Sequence, residues 1–171
     1  MVLGRPAGIG MTSWSDVERA DPQFAGTVRS TFAVRKHATM ATTQPDGTPR
    51  ISGTEVEFAD DGEIYLGMMA GALRAMDLRL DSRLSIHCPT EDPPEGDPAS
   101  WIGDGKITAN AVDVSDPANP PDPSDPAGPS GAHRFRLDIL QVVLTKVGPG
   151  GDHLEITSWR PGRGLKRQRR T

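Results

Sequence analysis

His37-Ala38-Thr39-Met40-Ala41-Thr42-Thr43-Gln44-Pro45-Asp46-Gly47-Thr48-Pro49-Arg50-Ile51-Ser52-Gly53 reads as two strands around a tight turn. Ala38–Thr43 is a short strand, and Gln44-Pro45-Asp46-Gly47 holds the residue types that a turn selects. Pro49–Phe58 is the second strand, with Val56 and Phe58 alternating against Glu55 and Glu57. Asp60-Asp61-Gly62 turns the chain into a third, Glu63–Met69, completing an antiparallel meander.

Upstream of this meander the period changes from two to about four. Phe24, Val28 and Phe32 recur every fourth residue and form one helical stripe. Asp21-Pro22 supplies an N-cap with proline in the first turn, and Ser15…Glu18 has capping-box spacing, with Ser13 as the other candidate cap. Residues 13–36 therefore read as one or two helices packed on a sheet.

Downstream, Gly71–Leu80 is a short helix and Arg83–Pro89 a fourth strand. The acidic, proline-rich residues 90–100 are a loop, and Lys106–Val112 is a fifth strand. Residues 113–131 hold six prolines and four aspartates, too little apolar surface to offset the entropy of ordering them, so a mobile loop is expected. His133–Val147 is a long strand whose centre, Leu140, Val142, Val143 and Leu144, is apolar on both faces. Gly148–Asp152 turns into a last strand, Leu154–Trp159. The count is seven strands, a mainly β chain that suits a small, nearly closed barrel.

The apolar fraction of 35% is low, but the polarity is concentrated in these loops. A single domain over residues 13–168 is expected, with residues 1–12 a disordered extension and Met11 a second possible start. The net charge of −4 argues against a general nucleic-acid binder. One basic cluster stands at the C-terminal end, Arg160, Arg163, Lys166, Arg167, Arg169 and Arg170; its Lys166–Arg170 part reads as a solvated tail rather than a nucleic-acid patch, with complementarity to an acidic ligand tail as the alternative. Cys88 is the only cysteine and no run of about 18 apolar residues occurs, so a cytoplasmic protein without membrane spans is expected. His37, His87, His133 and His153 show no ligand spacing, and no metal site is expected.

Four segments, in order, carry a resemblance. They are His37–Thr42; Asp46-Gly47-Thr48-Pro49-Arg50-Ile51-Ser52-Gly53; Arg74-Ala75-Met76-Asp77-Leu78-Arg79-Leu80-Asp81-Ser82-Arg83-Leu84-Ser85-Ile86; and Leu154–Leu165, with Ser-Trp-Arg-Pro-Gly-Arg-Gly inside it. Together they resemble the FMN-binding split-barrel superfamily, that is, pyridoxamine 5′-phosphate oxidase and its deazaflavin-using relatives. The resemblance implies a Greek-key-like split β-barrel with N-terminal helices and a short helix after the third strand. It also implies a homodimer with cofactors in clefts between subunits, and a flavin- or deazaflavin-dependent oxidoreductase that passes a hydride to or from a small conjugated substrate. A non-catalytic carrier of flavin, deazaflavin or tetrapyrrole is the alternative.

By the same resemblance Arg74 falls where the family places a cation against the cofactor phosphate, near a helix N-terminus that also favours anions. Arg50, Ser52 and Thr54 share strand parity and are candidates to lie beneath the ring, with Lys106 a further one. His87, Trp159, Arg160 and Arg163 are candidates for substrate contact; Trp159 is equally suited to core packing. Lys36 and His37, at the junction of helix and strand, could reach the cofactor or substrate, but a helix C-terminus also welcomes cations and the structural role is favoured. Where FMN-binding oxidases carry a hydroxyl and a second cation, this chain has Ala72 and Leu73, and it has Glu55 where they carry lysine. The expected cofactor is FMN or coenzyme F-420, with these departures favouring the deazaflavin.

Overall fold

The computed structural model describes residues 10–118, 120 and 131–171. Most of the expected extension (residues 1–9) and of the expected mobile loop (119 and 121–130) lies outside the described residues. Thr12, assigned by the sequence reading to the extension, is buried: its N–H donates to Asp138 Oδ1 at 2.8 Å and its carbonyl accepts from Ile139 N at 3.0 Å.

Two helices open the chain, α1 (Trp14–Ala20) and α2 (Pro22–Ala33). The cap of α1 is Ser13, which forms the capping box with Asp16. Ser15, the other candidate, instead donates its backbone N–H to Gly62 O at 2.9 Å, which docks α1 on a sheet turn. Asp21 caps α2 through Phe24 N at 2.9 Å, with Pro22 at a position whose missing N–H costs nothing. The stripe Phe24, Val28 and Phe32 is buried. Trp14 and Phe32 both meet the Phe58 ring, at 4.9 and 5.7 Å between centroids, so both helices grip one strand residue.

Nine strands follow among the described residues: β1 (Ala38–Thr43), β2 (Pro49–Thr54), β3 (Glu57–Phe58), β4 (Ile64–Met68), β5 (Arg83–His87), β6 (Asp104–Asp113), β7 (His133–Val147), β8 (Leu154–Arg160) and β9 (Gly164–Arg170). Helix α3 (Leu73–Leu80) sits between β4 and β5, and a 3-10 turn at Pro98–Ser100 precedes β6. All pairings are antiparallel, and the main path runs β2-β1-β5-β6-β7-β4-β3. Strand β7 holds the two halves together. Its first residues pair with β4, its middle with β6, and its last six with β8. The barrel is split: β2 and β3, consecutive in sequence, are opposite margins of the sheet.

Two corrections to the expected strand count follow. The expected second strand, Pro49–Phe58, breaks at Glu55-Val56, because its two ends pair with different neighbours on either side of the seam. The tail expected to be solvated is β9, which pairs with β8 along Leu154–Arg160. Its side chains are almost all exposed, so backbone pairing and ion pairs hold it, Arg167 to Asp21 at 3.6 Å and Arg169 to Asp152 at 3.5 Å.

The core lies inside the sheet. Met40, Ile64, Leu66, Ile86, Ile107, Phe135, Leu137 and Ile139 are all at most 1% exposed, and alternate residues of β6 are buried. In β7 the inward parity switches from Phe135, Leu137 and Ile139 to Val142 and Leu144. A register shift in the β6–β7 ladder skips Leu140, and the extra residue turns the strand over. The two-faced apolar centre of β7 is thus a bulge with Leu140 and Val143 half-buried outside. No helix among the described residues is long and apolar enough to cross a membrane.

Candidate functional site

The seam opens into a cleft of about 650 Å³, whose lining includes His37, Gly53–Glu57, Gly67–Met69 and Arg74. Residues that leave β2, cross to β3 and return through the end of β4 therefore meet the start of α3 there. A Cβ on Gly53 or Gly67 would meet nothing within 4 Å, so both strands present bare backbone with open space before it.

Charge in the cleft is mostly paired. Glu55 meets Lys36 Nζ at 3.1 Å and His37 Nε2 at 3.5 Å. Glu57 meets Arg134 at 3.2 Å. Arg74 differs. Its Nε is buried and has no hydrogen-bond partner among the described residues. It is the second residue of α3, whose N-cap, Ala72, has no side chain to satisfy the free N–H groups. A guanidinium so placed, beside uncapped amides, has the chemistry that suits an anion.

The other expected cofactor contacts divide. Thr54 is buried and lines the cleft. Arg50 and Ser52 share its strand parity and are half-buried, but neither is among the lining residues. Arg50 is engaged elsewhere: its Nε donates to Asp77 Oδ2 at 2.7 Å and its Nη2 to Gln44 at 2.8 Å. Asp77 is 2% exposed and also accepts from Thr42 Oγ1 at 2.8 Å, so Arg50 neutralises a buried carboxylate that fastens α3 to β1 and β2. Lys106 is on β6 opposite His87, away from the seam.

The expected substrate contacts are also placed apart. His87 lines a second, smaller cleft with Cys88. Cys88 is buried against Gly105, and burial pushes its thiol pKa up. Trp159 belongs to the core. Arg160 donates to Gln141 at 2.8 Å, and Arg163 is exposed in the β8–β9 turn. Missed by the sequence reading were Met68, Met69 and the glycines of the cleft wall; the glycines within strand segments were the available signal.

No protein-family model and no curated protein matches this chain in sequence. Solved structures match its fold. One is a pyridoxamine 5′-phosphate oxidase-related, FMN-binding protein from Nostoc punctiforme PCC 73102, with TM-score 0.60 and 12% identity over 88% of this chain and 96% of that one. Another is PhzG from Burkholderia lata 383, solved with tetrahydrophenazine-1-carboxylic acid, with TM-score 0.59 and 11% identity over 95% and 97%. A third is a protein of the pyridoxinephosphate oxidase family from Clostridium acetobutylicum, related to general stress protein 26, with TM-score 0.57 and 12% identity over 82% and 96%. The chain has the split-barrel fold of the pyridoxamine 5′-phosphate oxidase-like proteins.

Proposed function

We propose that this protein is an oxidoreductase that binds a flavin-type cofactor, FMN or the deazaflavin F-420, in the seam cleft of a homodimer and acts on a small conjugated substrate. One observation carries this reading: Arg74, at the start of an uncapped helix, lines a cleft of about 650 Å³ and has a buried Nε with no partner among the described residues. An anionic phosphate would satisfy both the guanidinium and the free amides. The bare backbone at Gly53 and Gly67 leaves room for a flat ring to lie against the strands, and Met68 and Met69 offer soft apolar contact.

The bound cofactor would supply the hydride chemistry itself. The residues of this chain would anchor its tail, orient its ring and exclude water. A second subunit is invoked because Ile51, Met69 and Leu73 are 75, 70 and 63% exposed, with Met69 in the cleft lining and Leu73 beside Arg74. Apolar side chains left open around a polar cleft favour cover by another surface. The deazaflavin is favoured because the start of α3 has neither a hydroxyl at Ala72 nor a second cation at Leu73 beside Arg74; Glu55, paired with Lys36 and His37, does not add to that preference.

The test is a fluorescence titration of the protein with FMN and with F-420, repeated for Arg74→Ala and Arg74→Lys. Arg74→Ala is expected to lose about 1–3 kcal/mol of binding, the scale of a charged hydrogen bond left unmade, and Arg74→Lys less. Sedimentation of the same samples reports the dimer. Affinities for both cofactors that ignore Arg74 would overturn the reading, and tight binding without turnover of any acceptor would leave a carrier.

A further inference from the structure

His87, Cys88 and Asp104 stand together where β5 ends and β6 begins, on the far side of β1 from the expected flavin contacts of β2. Their ligand atoms lie within 4.8 Å of one another. The sequence shows no metal motif there, because the third residue comes from the neighbouring strand. We propose that these three side chains form a binding site for a zinc-class divalent cation, distinct from the seam cleft.

Four observations support it. First, His87 is oriented: Nδ1 lies 2.8 Å from the backbone carbonyl of Cys88, which can only accept, so Nδ1 carries a hydrogen and Nε2 is the ring atom turned to Asp104. This is the outer hydrogen bond that metal-bound imidazoles usually make, and it leaves Nε2 as the ligand atom. Second, Nε2 faces Asp104 Oδ2 at 3.6 Å, too far for a hydrogen bond. Zinc bonds of about 2.0–2.1 Å to nitrogen and oxygen put two tetrahedral ligands roughly 3.3 Å apart, so little movement is needed. Third, Asp104 Oδ1 is buried and has no partner among the described residues. Fourth, Cys88 Sγ accepts a hydrogen bond from Gly105 N at 3.1 Å, which holds the sulfur beside the start of β6, one residue from Asp104.

A nitrogen, a sulfur and an oxygen donor of intermediate softness suit zinc or cobalt rather than magnesium or calcium. Three protein ligands leave the fourth position open. It would be directed to the smaller cleft, about 360 Å³, which His87 and Cys88 line with Arg35, Thr39, Thr90 and His37, the residue it shares with the seam cleft. Binding exchanges the thiol proton of Cys88 for the metal and releases that proton to solvent.

The experiment is a cobalt(II) titration of chelator-treated full-length protein, read by absorption. One equivalent should produce tetrahedral visible bands together with a near-ultraviolet sulfur-to-cobalt charge-transfer band, and zinc should displace it. Cys88→Ser should abolish the charge-transfer band. His87→Gln and Asp104→Asn should each weaken binding at least about tenfold, no less than loss of an outer-shell partner does. If Cys88→Ser does not fold, the charge-transfer band of the unaltered protein still decides. Cobalt bound without that band, binding insensitive to Asp104→Asn and His87→Gln, or no binding at neutral pH would overturn the site and leave His87 and Asp104 as an ordinary ion pair. FMN or F-420 titration is a separate readout, so failure here leaves the seam cleft untouched.

Discussion

Replacing Arg50 by methionine separates a structural from a cofactor-binding role for this residue. The structure puts its guanidinium on Asp77, which is 2% exposed and retains only Thr42 Oγ1 when the arginine is removed. A buried carboxylate stripped of its cation costs about 3–5 kcal/mol. Arg50 is itself 25% exposed, so water can partly replace it, and about 3 kcal/mol is expected. Asp77→Asn instead leaves the unpaired charge on the half-exposed partner, which water can solvate, and should cost about 1–2 kcal/mol. For a chain of this length 1 kcal/mol moves Tm by roughly 2–4 °C, so Arg50→Met should melt about 6–12 °C lower. The double variant Arg50→Met/Asp77→Asn should be more stable than Arg50→Met alone, because it removes the orphaned carboxylate. Urea denaturation and thermal melts at one fixed protein concentration read all three, since association would shift Tm. If Arg50→Met melts like the unaltered protein but loses FMN or F-420 binding, the ion pair is not the function of this arginine and the reasoning fails.

Two further outcomes follow from the fold. Gly62 has φ +79°, and a Cβ there would lie 1.8 Å from Ser15 Oγ, so Gly62→Ala should cost about 1–2 kcal/mol through the left-handed backbone alone. Adding Ser15→Ala should recover only the steric share, and a neutral Gly62→Ala by urea denaturation would show that α1 does not depend on this turn. The Asp81 carboxylate, held by hydrogen bonds from Arg83, has its pKa lowered from 3.8 to about 2. A depressed carboxylate stabilises the fold fully above pH 3.8, and that contribution disappears as pH falls toward 2. Arg83→Gln should therefore flatten the decline of Tm across that interval, slightly and less at high salt, because the pair is exposed. An unchanged acid limb would refute the assignment.

What the sequence made legible were features written in one segment at a time. The β1–β2 hairpin was readable because Asp46-Gly47 and the flanking strands are contiguous, and Gly47 adopts φ +86° as such a turn demands. The α2 stripe was readable because Phe24, Val28 and Phe32 keep a single period and all three are buried. Arg74 was readable as a position, though not the burial of its Nε. The engagement of Arg50 with Asp77 was invisible, since the two are 27 residues apart and strand parity alone cannot say where a long side chain ends. Strand β9 was missed because Lys166, Arg167, Arg169 and Arg170 bury no face; only its pairing with β8 makes it a strand.

The seam shows why the site itself is the least legible part. Glu55 and Val56 continue the strand alternation of their neighbours and include neither glycine nor proline, so nothing local marks a break. The break exists because Thr54 is the last residue paired to β1 while Glu57 is the first paired to β4, on the opposite margin of the sheet. Two unpaired residues bridge margins that never join, and the cleft opens along them. Such residues are freed from both ladders, so a ligand can meet this stretch of backbone without costing the sheet a ladder hydrogen bond. It follows that Glu55, an exposed residue, should tolerate substitution with little loss of stability while changing what the cleft accepts, whereas Val56 packs against the core. Glu55→Lys, which reverses a charge in the cleft that Arg74 also lines and removes exposed pairs to Lys36 and His37 that are worth little, should therefore tighten binding of a phosphorylated flavin at near-constant Tm. A large loss of stability with no change in binding would show that the bridge is structural and that the cleft lies along it by accident.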